Sequence, residues 1–576
     1  MKSIEPIEST VFALGVLLVS FLSTLGGLAA ADSEDLPNIV LIVTDDQGYS
    51  DVGVFGAKGF RTPNLDRLAS QGRRFTDFYV GASVCTASRA ALMTGCYPPR
   101  ISMFGALNHT SREGIHPDEI LLPEILQGRG YATACFGKWH LGTVVQFFPT
   151  RNGFDEFLGI PYSNDNSKYH PVVSDMPPLP FYRNETVISF DPDQSQFTRR
   201  LTEASVEFIA RHKDRPFFLY VPHIMPHVPI FASEGFQGSS QLGLYGDVVQ
   251  ELDWSVGEIV KAVESNGLEK KTLIIFFSDN GPFLSYGEHA GHADPLREGK
   301  LTTFEGGFRS PCIMRWTDTI PAGTACSEIV LSMDLLPTFA EIVGVKLPIN
   351  RPIDGKDIRP LIIGEKNTRS PHQAFYYYAG TQLQAIRYGD YKLHYPHQYL
   401  TTAAEPGSDG FPSNHGKLKP MSITSSGLEG IASRHGYRVV ETPKALFDLR
   451  KDPSEKANIL DQHPKIAAQI DELAERIREE LGDSLTGKSG QRVRPRATIF
   501  DTSDERLLIE RTPKSGVEED LVVGQISSLV QPLSSCAAPF TQRTDQCVLL
   551  PSKPEQPCNP TKAATEWSGP EPFFAR

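Results

Sequence analysis

Apolar residues in the first half of the chain form short unbroken runs, which alternate with stretches where apolar residues recur every three or four positions. The runs are rich in Val, Ile, Leu and Phe, which is typical of strands buried on both faces of a parallel sheet. The spaced stretches are typical of amphipathic helices. This alternation predicts an open α/β sheet, with strands at residues 38–44, 131–136, 217–221 and 271–277 and helices at residues 62–72, 119–126, 201–211 and 249–263.

Ionisable residues follow each of these four strands. The ligand crevice of an open α/β sheet lies at the carboxyl ends of its strands, so these side chains are predicted to meet in one site. In chain order they are Asp45 and Asp46, Lys138 and His140, His223 and His227, and Asp279 and Asn280.

Four of these residues form a candidate metal site. Asp45, Asp46, Asp279 and Asn280 offer only oxygen donors, which favours Ca²⁺ or Mg²⁺ over zinc. The alternative is that they cap helices or form turns, as Asp and Asn after a strand usually do. Here two oxygen-donor pairs follow two different strands, and cationic residues follow neighbouring strands. This combination favours the metal site over the turn or cap alternative.

The lysine and histidines are candidates for acid–base chemistry. Lys138 and His140 are two apart in a predicted extended segment, so their side chains share a face while Trp139 points away. His227 lies among prolines at a strand exit, and His223 is the rival for its role. Either histidine also fits a structural position.

Loop residues complete the predicted pocket. Lys300 lies in a glycine-rich stretch, where a lysine is most often solvated. His289, His292 and the loops at residues 105–118 and 164–190 are predicted to line the pocket.

The last third of the chain has the pattern of a smaller α+β subdomain at residues 366–485. Short apolar strands separated by glycine turns predict an antiparallel sheet, with an amphipathic helix at residues 466–481 behind it. Residues 400–437 are rich in Gly, Ser and Pro, which predicts a loop insertion. Residues 32–365 would form the catalytic domain, and residues 486–576 have no predicted fold.

The N-terminus is predicted to be a secretory signal at residues 1–31. Residues 11–28 are apolar, and three alanines precede Asp32. The protein would then be exported (secreted, periplasmic or lysosomal) and free of the membrane after cleavage. The alternative is an uncleaved anchor, because about 18 apolar residues just span a bilayer.

The charge of the chain excludes one class of function, and its cysteines indicate which thiols are free or paired. The net charge is −13 and no Lys/Arg run occurs, which argues against nucleic-acid binding. Cys135, inside an apolar run, is predicted to be a buried free thiol. Three of the eight cysteines, Cys536, Cys547 and Cys558, are predicted to cross-link the tail after export.

Residues 83–95 contain Cys85, followed four residues later by Arg89, at the start of a predicted Ala-rich helix. This stretch resembles the signature of the sulfatase family, Cys-x-Pro/Ala-x-Arg followed by a helix that ends in Thr-Gly. The resemblance covers about residues 37–480, and residues 159–163 are similar to the arylsulfatases in particular. The further motifs, in the family's order, are residues 44–48, 137–142, 159–163, 226–229, 278–281, 299–300 and 446–449.

The resemblance implies an alkaline-phosphatase-like fold, with a large mixed, mostly parallel sheet between helices. It also implies that a formylglycine-generating enzyme oxidises Cys85 to formylglycine. The hydrated aldehyde would attack the sulfur of a sulfated small molecule or glycan, and the alcohol would leave. Ca²⁺, or alternatively Mg²⁺, would be held by the four oxygen-donor residues and would draw charge from the sulfate.

The same resemblance implies a role for each remaining residue at a matching position. Lys138, Ser163 and Lys300 would bind the sulfate. His227 with Lys300 would protonate the leaving oxygen. His140 would take a proton from the second hydroxyl and so release sulfate, while Arg89 would hold the formylglycine segment. Ala87 stands where many members have proline, which bears on how efficiently Cys85 is converted.

Two rival functions remain open at this point. A phosphatase or phosphodiesterase of the same superfamily shares the sheet, but such enzymes often need additional His and Asp ligands for zinc. A thiolate phosphatase needs five residues between Cys and Arg, and here there are three. The second rival is a protein that binds a sulfated ligand and keeps Cys85 as a thiol.

Two sequons predict glycosylation, at Asn108 and Asn184. Neither discriminates between the rival functions. The physiological substrate (aryl sulfate, sulfated sugar or sulfolipid) and the oligomeric state are left open by the sequence.

Overall fold

The computed structural model describes residues 36–499. The predicted signal at residues 1–31 and the cysteines Cys536, Cys547 and Cys558 lie outside the described residues. Within the described part of the chain, no helix has the length and apolar character needed to cross a bilayer.

The first two thirds of the described chain build one large sheet with helices on both faces. Its strand order is β10-β2-β9-β8-β1-β7-β3-β4-β5-β6, and β11 pairs with β2. The five central strands, β8-β1-β7-β3-β4, are parallel to one another. The strands are β1 Asn38–Thr44, β2 Arg73–Tyr79, β3 Ala132–Lys138, β4 Glu156–Ile160, β5 Pro180–Arg183, β6 Thr186–Phe190, β7 Phe217–Pro222, β8 Thr272–Ser278, β9 Arg309–Arg315, β10 Thr324–Cys326 and β11 Val330–Leu331.

Two hydrophobic layers cover the faces of this sheet. Strand β1 is fully buried, and its side chains alternate between the layers: Val40 and Ile42 lie in one, and Ile39 and Leu41 lie in the other. Each such fully buried aliphatic side chain stabilises the fold by about 1.5–3 kcal/mol. One layer is covered by α1 Pro63–Ser70, α4 Phe197–Arg211 and α5 Gly243–Ser265, and the other by α2 Cys85–Thr94, α3 Leu122–Gln127 and α6 Leu335–Ile342.

A second, antiparallel sheet follows towards the C-terminus, in the order β12-β13-β14-β17. The long helix α8 packs on it through Ile470, Leu473 and Ile477. The predicted fold class is therefore confirmed. The elements of this part are β12 Phe375–Ala379, β13 Gln382–Tyr388, β14 Tyr391–His394, β15 His397–Thr402, α7 Gly427–His435, β16 Tyr437–Thr442, β17 Ala445–Asp448 and α8 Pro464–Leu481.

The prediction of an irregular loop insertion at residues 400–437 is wrong in part. Strand β15 pairs with β16, and α7 lies between them in the chain. Leu400 and Tyr437 belong to one of the hydrophobic layers of the large sheet. The Gly, Ser and Pro content of this segment indicates its turns. It does not indicate that the apolar residues Leu400 and Tyr437 pack on the large sheet.

The chain beyond residue 485 is also ordered up to the end of the described part. Ala497–Thr498 pairs with Glu113–Gly114 as two short antiparallel strands. The Arg494 guanidinium lies 2.8 Å from Glu119, which ties this segment to the loop before α3.

A buried charge cluster joins the two sheets. The Lys392 ammonium, on β14, lies 3.0 Å from carboxylate oxygens of both Glu305 and Glu455, and all three side chains are fully buried. Glu455 also accepts a hydrogen bond from the backbone N–H of Glu305 at 2.7 Å. Burial raises the pKa of Glu455 to about 7, and Lys392 opposes this rise. The cluster therefore connects the smaller sheet to the chain that follows Lys300.

We expect Lys392→Met to lower the free energy of unfolding by about 3–5 kcal/mol, because it leaves two buried carboxylates without their cation. Urea denaturation followed by circular dichroism measures the change. The matched control is Lys451→Met, whose ammonium is 83% exposed beside Asp448 and should contribute about 0–1 kcal/mol. Equal effects of the two substitutions would contradict this assignment.

Candidate active site

Cys85 begins helix α2, all ten residues of which are buried. Its side chain is 1% exposed and lines a cavity of about 740 Å³. The Cys85 sulfur, an oxygen of Asp45 and a ring nitrogen of His227 all lie within 4.8 Å of one another. Burial raises the pKa of the Cys85 thiol, although Lys138 and Lys300 oppose the rise. The unmodified cysteine is therefore a poor source of thiolate at neutral pH.

Arg89 fixes α2 against two strand ends. Its Nε donates to Asp279 Oδ2 at 2.9 Å, and its Nη1 donates to the carbonyl of Lys138 at 2.6 Å. One turn of helix separates Arg89 from Cys85, so these contacts set where Cys85 points. The Ser88 hydroxyl adds a hydrogen bond to the carbonyl of Asp279.

Asp45 and Asp46 both face this site although they are consecutive. Side chains of successive residues in a strand point to opposite faces, but Asp46 adopts a positive φ of 64° and so leaves the strand geometry. Its backbone N–H donates to Asp279 Oδ1 at 3.2 Å. Oxygens of Asp45, Asp46 and Asp279 lie within 4.8 Å of one another.

The donor set fits a calcium or magnesium ion. Among the described residues, Asp45 Oδ1 and Asn280 Oδ1 are buried and have no hydrogen-bond partner, which is costly unless a cation or water supplies one. Burial and the neighbouring Asp45 raise the pKa of Asp279 to about 6. Burial would also raise the pKa of Asp45, but Lys138, His227 and Arg89 hold it below its ordinary value. The set offers only oxygen atoms at one point, which suits a hard cation.

Two lysines flank the carboxylates. Lys138 Nζ lies 2.5 Å from Asp45 Oδ2 and 3.1 Å from the Ser163 hydroxyl. Lys300 Nζ lies 2.8 Å from Asp46, and the Lys300 side chain is 4% exposed. A lysine in a glycine-rich loop is most often solvated, but Lys300 is buried. Burial opposes the charge of Lys300, but Asp46 keeps its pKa above the ordinary value.

His227 completes this side of the site. Its Nε2 is 3.2 Å from the Ser163 hydroxyl and 3.6 Å from Asp46, and its Nδ1 donates to the carbonyl of Val228 at 2.6 Å. Burial and Lys300 lower the pKa of His227. The rival His223 lies elsewhere: it contacts Ser255 at 3.3 Å, and burial lowers its pKa to about 3.

His140 lines the cavity as a neutral base. Its Nε2 donates to the carbonyl of Leu107 at 2.7 Å, while its buried Nδ1 has no partner among the described residues. Burial and Lys138 lower its pKa well below the ordinary value. The extended segment predicted to contain both Lys138 and His140 ends at Lys138, and His140 has a positive φ of 62°. The two side chains nevertheless lie in the same region, and Trp139 packs away from it with its indole N–H on the carbonyl of Phe147.

Several pocket predictions have a clear outcome. His289 and His292 do not line the cavity; His292 instead contacts Asp51 at 3.0 Å. Both predicted loops contribute to its walls, through residues such as Leu107 and Asp165. The predicted glycosylation site Asn108 also lines the cavity, whereas Asn184 is exposed beyond β5.

Sequence reasoning missed one wall of this cavity. Phe283, Arg434 and His435 line it, and the last two belong to α7. No motif marks them, and the composition of residues 400–437 predicted a loop. Asp165, by contrast, lies in the loop at residues 164–190, which the sequence predicts to line the pocket. The buried thiol of Cys135 is confirmed as free of any disulfide within residues 36–499.

Comparison with known proteins agrees with this geometry. The chain matches the sulfatase family profile over residues 37–345 and the profile of the C-terminal region of aryl-sulfatase over residues 370–500. It belongs to the sulfatase family. The predicted activity, hydrolysis of sulfuric esters, is thereby confirmed at the level of the reaction class.

Individual relatives extend over most of this sulfatase. Arylsulfatase A of Bos taurus is 37% identical over 471 residues, which cover 78% of this chain and 87% of that protein. N-acetylgalactosamine-6-sulfatase of Canis lupus familiaris is 38% identical over 400 residues, covering 66% and 76%. The solved structure of PsFucS1 sulfatase from Pseudoalteromonas sp. has a TM-score of 0.66 and 27% identity, covering 81% of this chain and 94% of that one.

We expect CaCl₂ to raise the melting temperature of the protein and EDTA to reverse the rise. A ligand present at 100 times its Kd stabilises the native state by about 2.7 kcal/mol. Asp45→Asn should abolish the shift, because it removes one charged donor. Differential scanning fluorimetry with CaCl₂ and with MgCl₂ measures the shift and compares the two ions.

The control for this experiment is Asp253→Asn. Asp253 is a buried carboxylate outside the site that accepts the backbone N–H of Leu65 at 2.8 Å. This variant should melt at a lower temperature yet keep the calcium-induced rise. A calcium response retained in Asp45→Asn would show that the ion binds elsewhere.

Proposed function

We propose that this sulfatase cleaves a sulfate ester through formylglycine at position 85, with Ca²⁺ as its metal. The substrate class is an aryl sulfate, a sulfated sugar or a sulfolipid. The predicted signal at residues 1–31 supports an exported enzyme. The observation that carries the proposal is the position of Cys85 within 4.8 Å of both Asp45 and His227.

Conversion of Cys85 explains its environment better than a thiol does. A nucleophilic cysteine requires a lowered pKa, whereas burial raises the pKa of Cys85. An aldehyde hydrate carries two hydroxyl groups, one to attack sulfur and one to release sulfate afterwards. Because Cys85 is 1% exposed, we infer that a formylglycine-generating enzyme acts on the chain before α2 is buried.

Asp45, Asp46, Asp279 and Asn280 would hold the metal ion. A bound Ca²⁺, or Mg²⁺ in its place, would supply Lewis-acid stabilisation of negative charge on the sulfate oxygens. The role of Arg89 is to position: it is hydrogen-bonded to Asp279 and orients α2 so that residue 85 faces these carboxylates.

The two lysines supply the positive charge that a transferring sulfate needs. Lys138 contacts Asp45 and Lys300 contacts Asp46, so both ammonium groups lie beside the same carboxylates. With Ser163 they would bind the sulfate oxygens and offset charge as it moves towards the leaving oxygen. We assign protonation of that oxygen to the Lys300–His227 pair. Lys300 is its charged member, because burial and Lys300 itself lower the pKa of His227.

His140 would act in the second half of the reaction. Its Nε2 is occupied by the carbonyl of Leu107, so the free Nδ1 is the atom that accepts a proton. It would deprotonate the remaining hydroxyl of residue 85, and the electron pair would re-form the aldehyde as the bond to sulfate breaks.

We expect the tryptic peptide of residues 75–89 to show the aldehyde mass at position 85. The protein should hydrolyse nitrophenyl sulfate, and Cys85→Ala should lose this activity. A quantitatively alkylatable thiol with ligand affinity and no turnover would instead identify a binding protein. Faster hydrolysis of nitrophenyl phosphate than of the sulfate would favour the phosphatase alternative.

We expect His140→Ala to release one equivalent of nitrophenol per active site and then slow by about 100-fold or more. Attack on sulfur remains possible in this variant, but release of sulfate loses its base. Rapid-quench kinetics measures the burst, and mass spectrometry of the stalled protein should show one retained sulfate on residue 85. His223→Gln, which changes a buried histidine outside the cavity, should turn over without a burst.

The pH dependence follows from the same residue. The pKa of His140 is depressed, so its basic form persists below the ordinary histidine value of about 6.5. In the native enzyme, the acid limb of the pH profile of kcat should therefore be centred at a pH below 6.5. An acid limb centred above that value would contradict the assignment of His140 as the base.

A further inference from the structure

Helix α7 contributes to the cavity wall an arginine that none of the steps above employs. Arg434 lies on α7 and lines the same cavity as Cys85. Its side chain is largely buried, with the residue 6% exposed. A buried guanidinium normally has a carboxylate partner, because burial of an unpaired charge is costly.

The hydrogen bonds of Arg434 go to neutral groups. Its Nη1 donates to the carbonyls of Ser422 and Ser425 at 2.7 and 2.9 Å. Its Nε is buried and has no hydrogen-bond partner in the described part of the chain. Within residues 36–499, no carboxylate oxygen lies within 4.0 Å of its nitrogens. The carbonyls therefore fix the orientation of the guanidinium. Burial lowers the pKa of Arg434, and the charge of Asp165 opposes this fall without forming a direct ion pair.

The other basic side chains of the cavity wall are already paired. Lys300 lies 2.8 Å from Asp46, and Arg496 lies 3.1 Å from Glu113. A purely structural arginine would be expected to resemble these two. The difference indicates that the partner of Arg434 comes from outside the protein.

Aromatic contacts connect Arg434 to the sulfate-binding side. Lys300 Nζ lies 4.6 Å from the ring centroid of Phe283, and that ring lies 5.0 Å from the ring of His435. His435 adjoins Arg434 in α7. Arg434 and Lys300 therefore line the same cavity and are linked through the contact between Phe283 and His435.

Asp165 adds a second polar group to this region. It is 9% exposed, lines the cavity and has no salt bridge to any described residue within 4.0 Å. A carboxylate in such a position accepts hydrogen bonds from hydroxyl groups. The cavity of about 740 Å³ lies in the usual range for pockets that enclose small ligands.

We propose that Arg434 forms a second anion subsite, and that the substrate is a sulfated saccharide with a further acidic group beside the ester that is cleaved. This inference rests on the proposed function and names its substrate class. The acidic group is a second sulfate or a carboxylate, either of which pairs with a guanidinium. Asp165 would accept hydrogen bonds from sugar hydroxyls.

The test compares substrates that differ by one acidic group. The probes are nitrophenyl sulfate, a monosulfated N-acetylgalactosamine, its disulfated form, and a monosulfated disaccharide that contains a uronic acid. Arg434→Gln should lower kcat/KM for a doubly acidic probe roughly 10- to 100-fold more than for the singly acidic ones. Arg434→Lys should recover part of the loss. Whether the disulfated sugar or the uronic acid shows the larger effect identifies the acidic group.

Arg438→Gln is the matched control, since Arg438 is exposed on β16 four residues further along the chain. It should leave the ratio of kcat/KM between the probes at the native value. An equal loss on all probes in Arg434→Gln, or no loss on any, would overturn the proposal.

Affinity separates failure of the subsite from failure of the proposed function. If the native protein hydrolyses none of the probes, the proposed function fails. Isothermal titration of Cys85→Ala with the disulfated sugar then still tests the subsite. A Kd at least 10-fold weaker in Cys85→Ala/Arg434→Gln would support it, and an unchanged Kd would overturn it.

Discussion

The structure of the site depends on keeping three buried carboxylates together. Asp45, Asp46 and Asp279 repel one another in a region that water does not screen, and each is opposed by a basic side chain. Arg89 is central to this balance, because its guanidinium contacts Asp279 and the end of β3 at once. The same contacts orient α2, so the electrostatic requirement of the carboxylates also positions Cys85.

The smaller subdomain contributes to the site in two ways. The buried cluster of Lys392, Glu305 and Glu455 joins its sheet to the chain that follows Lys300. Helix α7 then supplies part of the wall of the cavity that Cys85 also lines. In the proposed function, chemistry at the strand ends and recognition of the rest of a substrate therefore fall to different parts of the chain.

The neutral histidines and the charged lysines follow from burial. His140 and His227 lose charge because burial and nearby lysines disfavour the imidazolium form. Lys300 stays charged because Asp46 compensates for its burial. Bases and cations therefore coexist within a few ångströms, which acid–base catalysis on a sulfate ester requires.

The large sheet and the clustering of most candidate site residues could be predicted from the chain alone, because parallel strands buried on both faces are unbroken apolar runs and their ends meet at one edge. Tertiary structure decided what local patterns do not encode. The positive φ of Asp46 turns two consecutive carboxylates into one site, and long-range packing places His227, but not His223, at the cavity. Arg434 could not be predicted, because its proposed role depends on its having no ion pair within 4.0 Å among residues 36–499, and that is a property of the folded chain.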